Sequence, residues 1–150
     1  MADVVPANLD WTGSTADPGY RRDAELTKPG GAAAIPVSAL ARFGGDPARW
    51  NPEDLLAGTL AHCHMLTFLA LAAKVRLDVR GYRDRPESEV VTEEKVSRVA
   101  RIRLQPTITV APGTDPAKVE EMFQKAHKYC VTANSLTARV VMRPRVVVAG

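Results

Sequence analysis

The chain has 150 residues, 45% of them apolar, 25% charged and 5% aromatic, with a formal net charge of +3. That is enough for one soluble domain with a core of Leu, Val, Ala and Ile, and it needs neither a disulfide framework nor a structural metal to fold. The charge is small, and the arginines from Arg76 to Arg103 alternate with apolar residues, so a nucleic-acid-binding stripe is excluded as the leading reading.

Met1-Ala2-Asp3 is not a basic segment running into an apolar one, so no secretory leader and a cytoplasmic location are expected. Residues 1–50 are rich in Pro and Gly. Within them, β-like runs at 20–26 and 33–37 flank Lys28-Pro29-Gly30-Gly31 and predict a hairpin. Asn51-Pro52-Glu53-Asp54 then opens a helix: Asn51 caps, Pro52 suits the first helical position, and two acids face the dipole. The helix is expected over Pro52–Lys74. It is apolar nearly all round but interrupted by His62, Cys63, His64 and Thr67. That pattern fits a central or subunit-interface helix better than a membrane span. Residues 75–82 alternate as a strand with one wet face, and 83–88 read as a turn. Residues 96–110 form one long extended stretch, with Pro106 at an edge or bulge. Asp115 caps a second helix over Pro116–Tyr129, 131–136 connect, and 137–148 form a last strand broken by Pro144. The order predicts an α+β fold in a single domain over 1–150.

Chemistry concentrates at the two cysteines. Cys63 lies mid-way along the first helix and Cys130 at the end of the second, so the two can meet if the helices pack together. They form no CxxC pair and no zinc-finger spacing. In a reducing compartment they rest as thiols, and a buried thiol without help is inert. Three readings stand on the residues alone: structural core cysteines, a metal site of Cys63, Cys130 and His127, or a Cys–His nucleophile pair. His62 and His64, two apart on a helix, point to different faces.

Three segments carry a family resemblance. Asn51-Pro52-Glu53-Asp54-Leu55-Leu56-Ala57 followed by Ala61-His62-Cys63-His64-Met65-Leu66 resembles the signature helix of the OsmC/Ohr family, with Cys63 ten positions after Glu53. Cys130-Val131-Thr132-Ala133-Asn134-Ser135 resembles the family's second cysteine and its following turn. Tyr20-Arg21-Arg22-Asp23 is similar to the Y-x-R-D segment of one subgroup, except that Ala24 stands where that subgroup has His. The resemblance covers residues 11–148.

It implies an OsmC-like α+β fold, two long helices enclosed by antiparallel sheets in an intertwined homodimer. It also implies a thiol peroxidase acting on organic hydroperoxides, and in some members on hydrogen peroxide, with no cofactor and no membrane or nucleic-acid partner. The reductant it implies is a dithiol such as dihydrolipoamide or a lipoylated protein. By match to the family, Cys63 is the attacking thiolate and Cys130 resolves its sulfenic acid as a disulfide. Arg22 stabilises the thiolate, with Arg21 as the fallback, since strand neighbours face opposite sides. Glu53 holds that guanidinium. Ten helical residues rise about 15 Å, so Glu53 acts on Cys63 through Arg22 or from a second subunit. Leu55, Leu56, Met65, Phe68 and Phe123 are core residues first and pocket lining second. The competing reading is a non-catalytic member of the fold that binds a small apolar ligand at the dimer interface.

Overall fold

The computed structural model describes residues 2–14 and 17–150. The chain divides into two compact units, Met1–Leu55 and Leu56–Gly150.

The first unit carries a three-stranded antiparallel sheet in the order β1 (Asn8–Asp10), β2 (Ala24–Thr27), β3 (Ile35–Val37). The expected hairpin is β2–β3, with Leu26 opposite Ile35. Its connection is tightened where the Gly31 N–H donates to the Lys28 carbonyl at 3.0 Å. Gly30 there has φ 65°, a conformation that side chains resist. Strand β1 had no readable signal, because three exposed residues are too few to show a period.

Helix α1 (Pro52–Lys74) has the bounds the sequence predicts. Asn51 Oδ1 accepts the Asp54 N–H at 2.9 Å, and Asn51 Nδ2 donates to Asp54 Oδ2 at 2.7 Å. One side chain therefore satisfies an orphan donor and fixes a first-turn acid.

The second unit holds β4 (Val79–Arg83), β5 (Glu87–Glu93), β6 (Val96–Leu104), β7 (Thr107–Val110), α2 (Pro116–Tyr129), β8 (Arg139–Met142) and β9 (Arg145–Val148). They form two sheets, β5-β6-β8 and β4-β7-β9. The expectation of purely antiparallel sheets is corrected here: β6–β8 and β7–β9 pair in parallel. A parallel return needs a crossover, and α2 supplies it. The stretch 96–110 is two strands rather than one, and so is 137–148. Arg143 N–H donates to the Leu104 carbonyl at 2.9 Å and Arg145 N–H to the Pro106 carbonyl at 2.8 Å. Pro106 and Pro144, which have no N–H to give a ladder, thus sit where both paired strands leave one sheet and enter the other.

The strand expected at 75–82 starts only at Val79. The α1 end winds on through turns, with Leu77 N–H on the Ala72 carbonyl at 2.9 Å and Arg76 at φ 56°. Strand β5 begins inside the expected turn. A register shift between Glu89 and Val90 puts two valines in succession and breaks the alternation that would have marked it.

Two cores run along α1 in this unit. Ala57, Leu60 and Ala61 pack with Ile102, Leu104 and Cys130. Two turns further on, Phe68 packs with Ile108, Val110, Val119, Phe123 and Ala126. Each core faces its own sheet. Helix α2 closes the second with Phe123 and delivers Cys130 into the first.

Candidate active site

Cys63 is half-buried on α1 and packs on the first core. Cys130 is wholly buried at the cap of α2. Both are free thiols, and Cys63 packs against the core cluster that contains Cys130. The two helices therefore bring together the two cysteines singled out by the sequence.

The chain after Cys130 turns tightly back. Asn134 N–H donates to the Cys130 carbonyl at 3.1 Å and Ser135 N–H to the Thr132 carbonyl at 3.0 Å. Asn134 Nδ2 donates to the Lys128 and Cys130 carbonyls, both at 3.0 Å, and Ser135 Oγ to the Val131 carbonyl at 2.9 Å. Ala133 N–H donates to Cys130 Sγ at 3.4 Å. The Thr132 N–H and hydroxyl, the Cys130 thiol and the Val131 N–H act on Cys63.

The two thiols are consequently unequal. Burial pushes the Cys63 thiol up, but the Thr132, Cys130 and Val131 donors outweigh it and leave Cys63 below the ordinary thiol value. Burial raises Cys130 and the neighbouring Cys63 raises it further, against the pull of the Ala133 and Thr132 N–H groups. Of the pair, Cys63 is the one that ionises first.

A second pair of side chains links the helices deeper in. His64 is fully buried, its ring 4.3 Å from that of Phe123 and 5.8 Å from that of His127. Neither ring nitrogen of His64 has a hydrogen-bond partner among the described residues. Burial, with His127 adding to it, lowers His64 to about 4, so it stays neutral. Among the described residues, no three His, Cys, Asp or Glu side chains converge as metal ligands, which leaves the Cys63/Cys130/His127 metal reading without support.

In the first unit, Arg21 and Arg22 lie before β2, which starts only at Ala24 and not at residue 20 as expected, and they differ in exposure. Arg21 is ion-paired to Asp23 with its side chain 74% exposed. Arg22 is half-buried. Its Nη1 donates to the Tyr20 carbonyl at 3.0 Å, and its guanidinium lies 4.3 Å from the Tyr20 ring centre. Gly44, at φ 80°, leaves room for that guanidinium, since a Cβ there would come within 2.9 Å of it. Asp23 is tied down in turn by Ser38 Oγ at 3.0 Å and by Arg49 at 3.7 Å. Glu53 is half-buried in the first turn of α1, beside Asp54.

Residues 44–144 match the model of the OsmC-like protein family. The chain belongs to the OsmC family. An OsmC-like protein of unknown function from Vibrio cholerae has the same fold, with a TM-score of 0.84 and 27% identity over 95% of this chain and 99% of that one. An organic hydroperoxide resistance protein from Legionella pneumophila superposes with a TM-score of 0.73 at 19% identity, covering 97% and 98% of the two chains. The organic hydroperoxide resistance protein OhrB of Bacillus subtilis does so with a TM-score of 0.62 at 16% identity, covering 95% and 98%. At those identities the last two speak for the fold alone. No curated protein matches the chain. Within this OsmC-like frame, sequence reasoning found both cysteines but missed Thr132, Val131 and Ala133 as sulfur ligands. The motif that contains them was in view. Their role is not, because it depends on which way a turn's N–H groups point.

Proposed function

We propose that the protein is a thiol peroxidase that reduces organic hydroperoxides through Cys63 and Cys130. The observation that carries this reading is that α1 and the end of α2 bring two free thiols into one core, Cys63 half-buried and Cys130 wholly buried; the direction of their shifts, Cys63 lowered and Cys130 raised, agrees with it. A peroxidase needs one thiolate to attack and one thiol held back. The Cys63 thiolate attacks the terminal peroxide oxygen, the O–O bond breaks, and the alkoxide leaves and takes a proton from water. Cys63 is then a sulfenic acid. Cys130 attacks that sulfur and expels water, giving a disulfide, and a dithiol of the lipoyl type restores both thiols by exchange. In this scheme Arg22, the less exposed of the adjacent pair, orients the peroxide oxygens through its fixed fork of donors, and Glu53 holds it. A homodimer completes the site. The exposure of the apolar side chains Leu66, Val75 and Tyr129, at 52%, 63% and 51%, supports their burial against a second copy.

A second reading draws on a cleft of about 1280 Å³ between the last turns of α1 and the length of α2, lined by Leu71, Met122 and Tyr129 with Lys74, Lys118 and Lys125. Its size and apolar floor suit a small amphipathic ligand. Peroxide consumption with a dithiol reductant separates the two. The peroxidase turns over and loses that turnover in Cys63→Ser. A binder consumes no peroxide, and its cysteines stay reduced.

A further inference from the structure

Every polar group of Cys130 is held where α2 ends. Its N–H donates to the His127 carbonyl at 3.4 Å. Its carbonyl accepts the Asn134 N–H at 3.1 Å and Asn134 Nδ2 at 3.0 Å. Its sulfur accepts the Ala133 N–H at 3.4 Å. Asn134 Nδ2 also donates to the Lys128 carbonyl at 3.0 Å, one of the carbonyls that a helix end leaves without a partner. One side-chain amide therefore ties the last turn of α2 to Cys130. The backbone has already left the helix at that point, with Cys130 at φ −73° and ψ 113°, so helical geometry no longer sets where the sulfur points. Cys130 is wholly buried among Leu60, Ile102 and Leu104, whereas Asn134 is exposed. An exposed amide aimed at two backbone carbonyls contributes orientation and not packing.

We propose that Asn134 is the positioning residue of the resolving cysteine: it fixes the Cys130 backbone so that the sulfur is presented to Cys63, which packs on the same core. The role rests on the two-cysteine peroxidase reading for its purpose, but not for its test. A thiol held in place attacks its neighbour as an intramolecular nucleophile, and added freedom at the attacking residue slows that step. The bonds of Asn134 go to Cys130 and Lys128, so its loss acts on the second sulfur step and spares the first.

The test replaces peroxide with an aromatic disulfide, dithiobis(nitrobenzoate). The Cys63 thiolate attacks one sulfur of the reagent, breaks its S–S bond and releases one coloured thiolate, which leaves a mixed disulfide on Cys63. Cys130 then loses its proton to water, attacks the Cys63 sulfur and releases the second thiolate, giving the Cys63–Cys130 disulfide. Absorbance follows both releases, and intact mass identifies each product, in wild type and in Cys130→Ser, Asn134→Ala, Asn134→Leu and Ser135→Ala. Asn134→Leu removes the donors while keeping the side-chain size. The expected result is a first release within about twofold of wild type in both Asn134 variants and a second release slowed about tenfold. Cys130→Ser stops at the mixed disulfide. Ser135→Ala, which removes only a bond to the Val131 carbonyl in the same turn, keeps both releases. A second release at the wild-type rate in the Asn134 variants overturns the proposal, even if the wild type consumes peroxide. Equal slowing of both releases, or of the second in Ser135→Ala, also overturns it, because general loosening of the turn would then be the cause. A slowed second release in a protein that consumes no peroxide upholds it and overturns the peroxidase reading instead.

Discussion

The two halves of α1 are built for different purposes. Toward its N-terminus the helix presents Ala57, Leu60, Ala61 and Cys63, and small side chains leave the sulfur half open beside a turn full of donors. Toward its C-terminus it presents His64 and Phe68, which close against Phe123 with ring centres 4.3 and 6.1 Å away. The first half leaves the free thiol of Cys63 partly exposed. The second half removes apolar surface from water and holds α2 at the distance the first half needs. Because Phe123 and Cys130 share α2, packing in one core fixes the sulfur geometry in the other.

The largest effect belongs to the open half. Cys63→Ser should lower dithiol-dependent peroxide consumption by about a thousandfold or more, measured by residual hydroperoxide; a variant as active as wild type would assign the activity elsewhere. The closed half should instead answer in stability. Ile108→Ala empties part of a fully buried position and should cost about 2–5 kcal/mol in denaturant unfolding. A cost below about 0.5 kcal/mol would mean that this core is loosely packed and not the anchor described. Cys130→Ser sharpens the division of labour between the thiols. It should complete one turnover at the wild-type rate and then stop with a sulfenic acid on Cys63, trapped by dimedone and seen as added mass. Continued turnover without Cys130 would remove it from the cycle.

The smallest effect is expected at His64. Its folded value is about 4 against an ordinary 6.5. Between those pH values the unfolded chain binds a proton that the folded chain refuses, so stability falls as pH drops through that window and levels off below it. His64→Leu removes this slope and the unpartnered ring nitrogens, and should raise stability at pH 4.5 by about 1–2 kcal/mol. Equal acid sensitivity in wild type and variant, read from urea midpoints at pH 4.5 and 7.5, would place the acid-labile group elsewhere.

How much of this the sequence discloses follows from where each signal resides. The bounds of α1 and α2 are legible because Asn51-Pro52 and Asp115-Pro116 mark them with side chains, and both caps bond as their chemistry requires. Cys63 and Cys130 are legible as a pair because they are the two cysteines of the chain, one within the first helix and one at the end of the second. Strand β5 is not, because its bulge disrupts the alternation. The parallel pairing of β6 with β8 and of β7 with β9 is not, because period-2 patterns carry no strand direction. The sulfur-facing donors of Val131, Thr132 and Ala133 are mainly backbone groups, and no side-chain pattern encodes their aim. The closeness of His64 to His127 is hidden for a related reason: it joins two helices with 62 intervening residues.

The proposed redox cycle runs between two neighbouring thiols of one core, and one measurement reaches it directly: free-thiol titration with intact mass before and after one equivalent of cumene hydroperoxide. The predicted result is loss of both thiols and of two hydrogens per chain, reversed by dihydrolipoamide and absent in Cys63→Ser. Both thiols intact after the peroxide, with no change in mass, would contradict it and leave the cysteines as core residues of an OsmC-like binding protein.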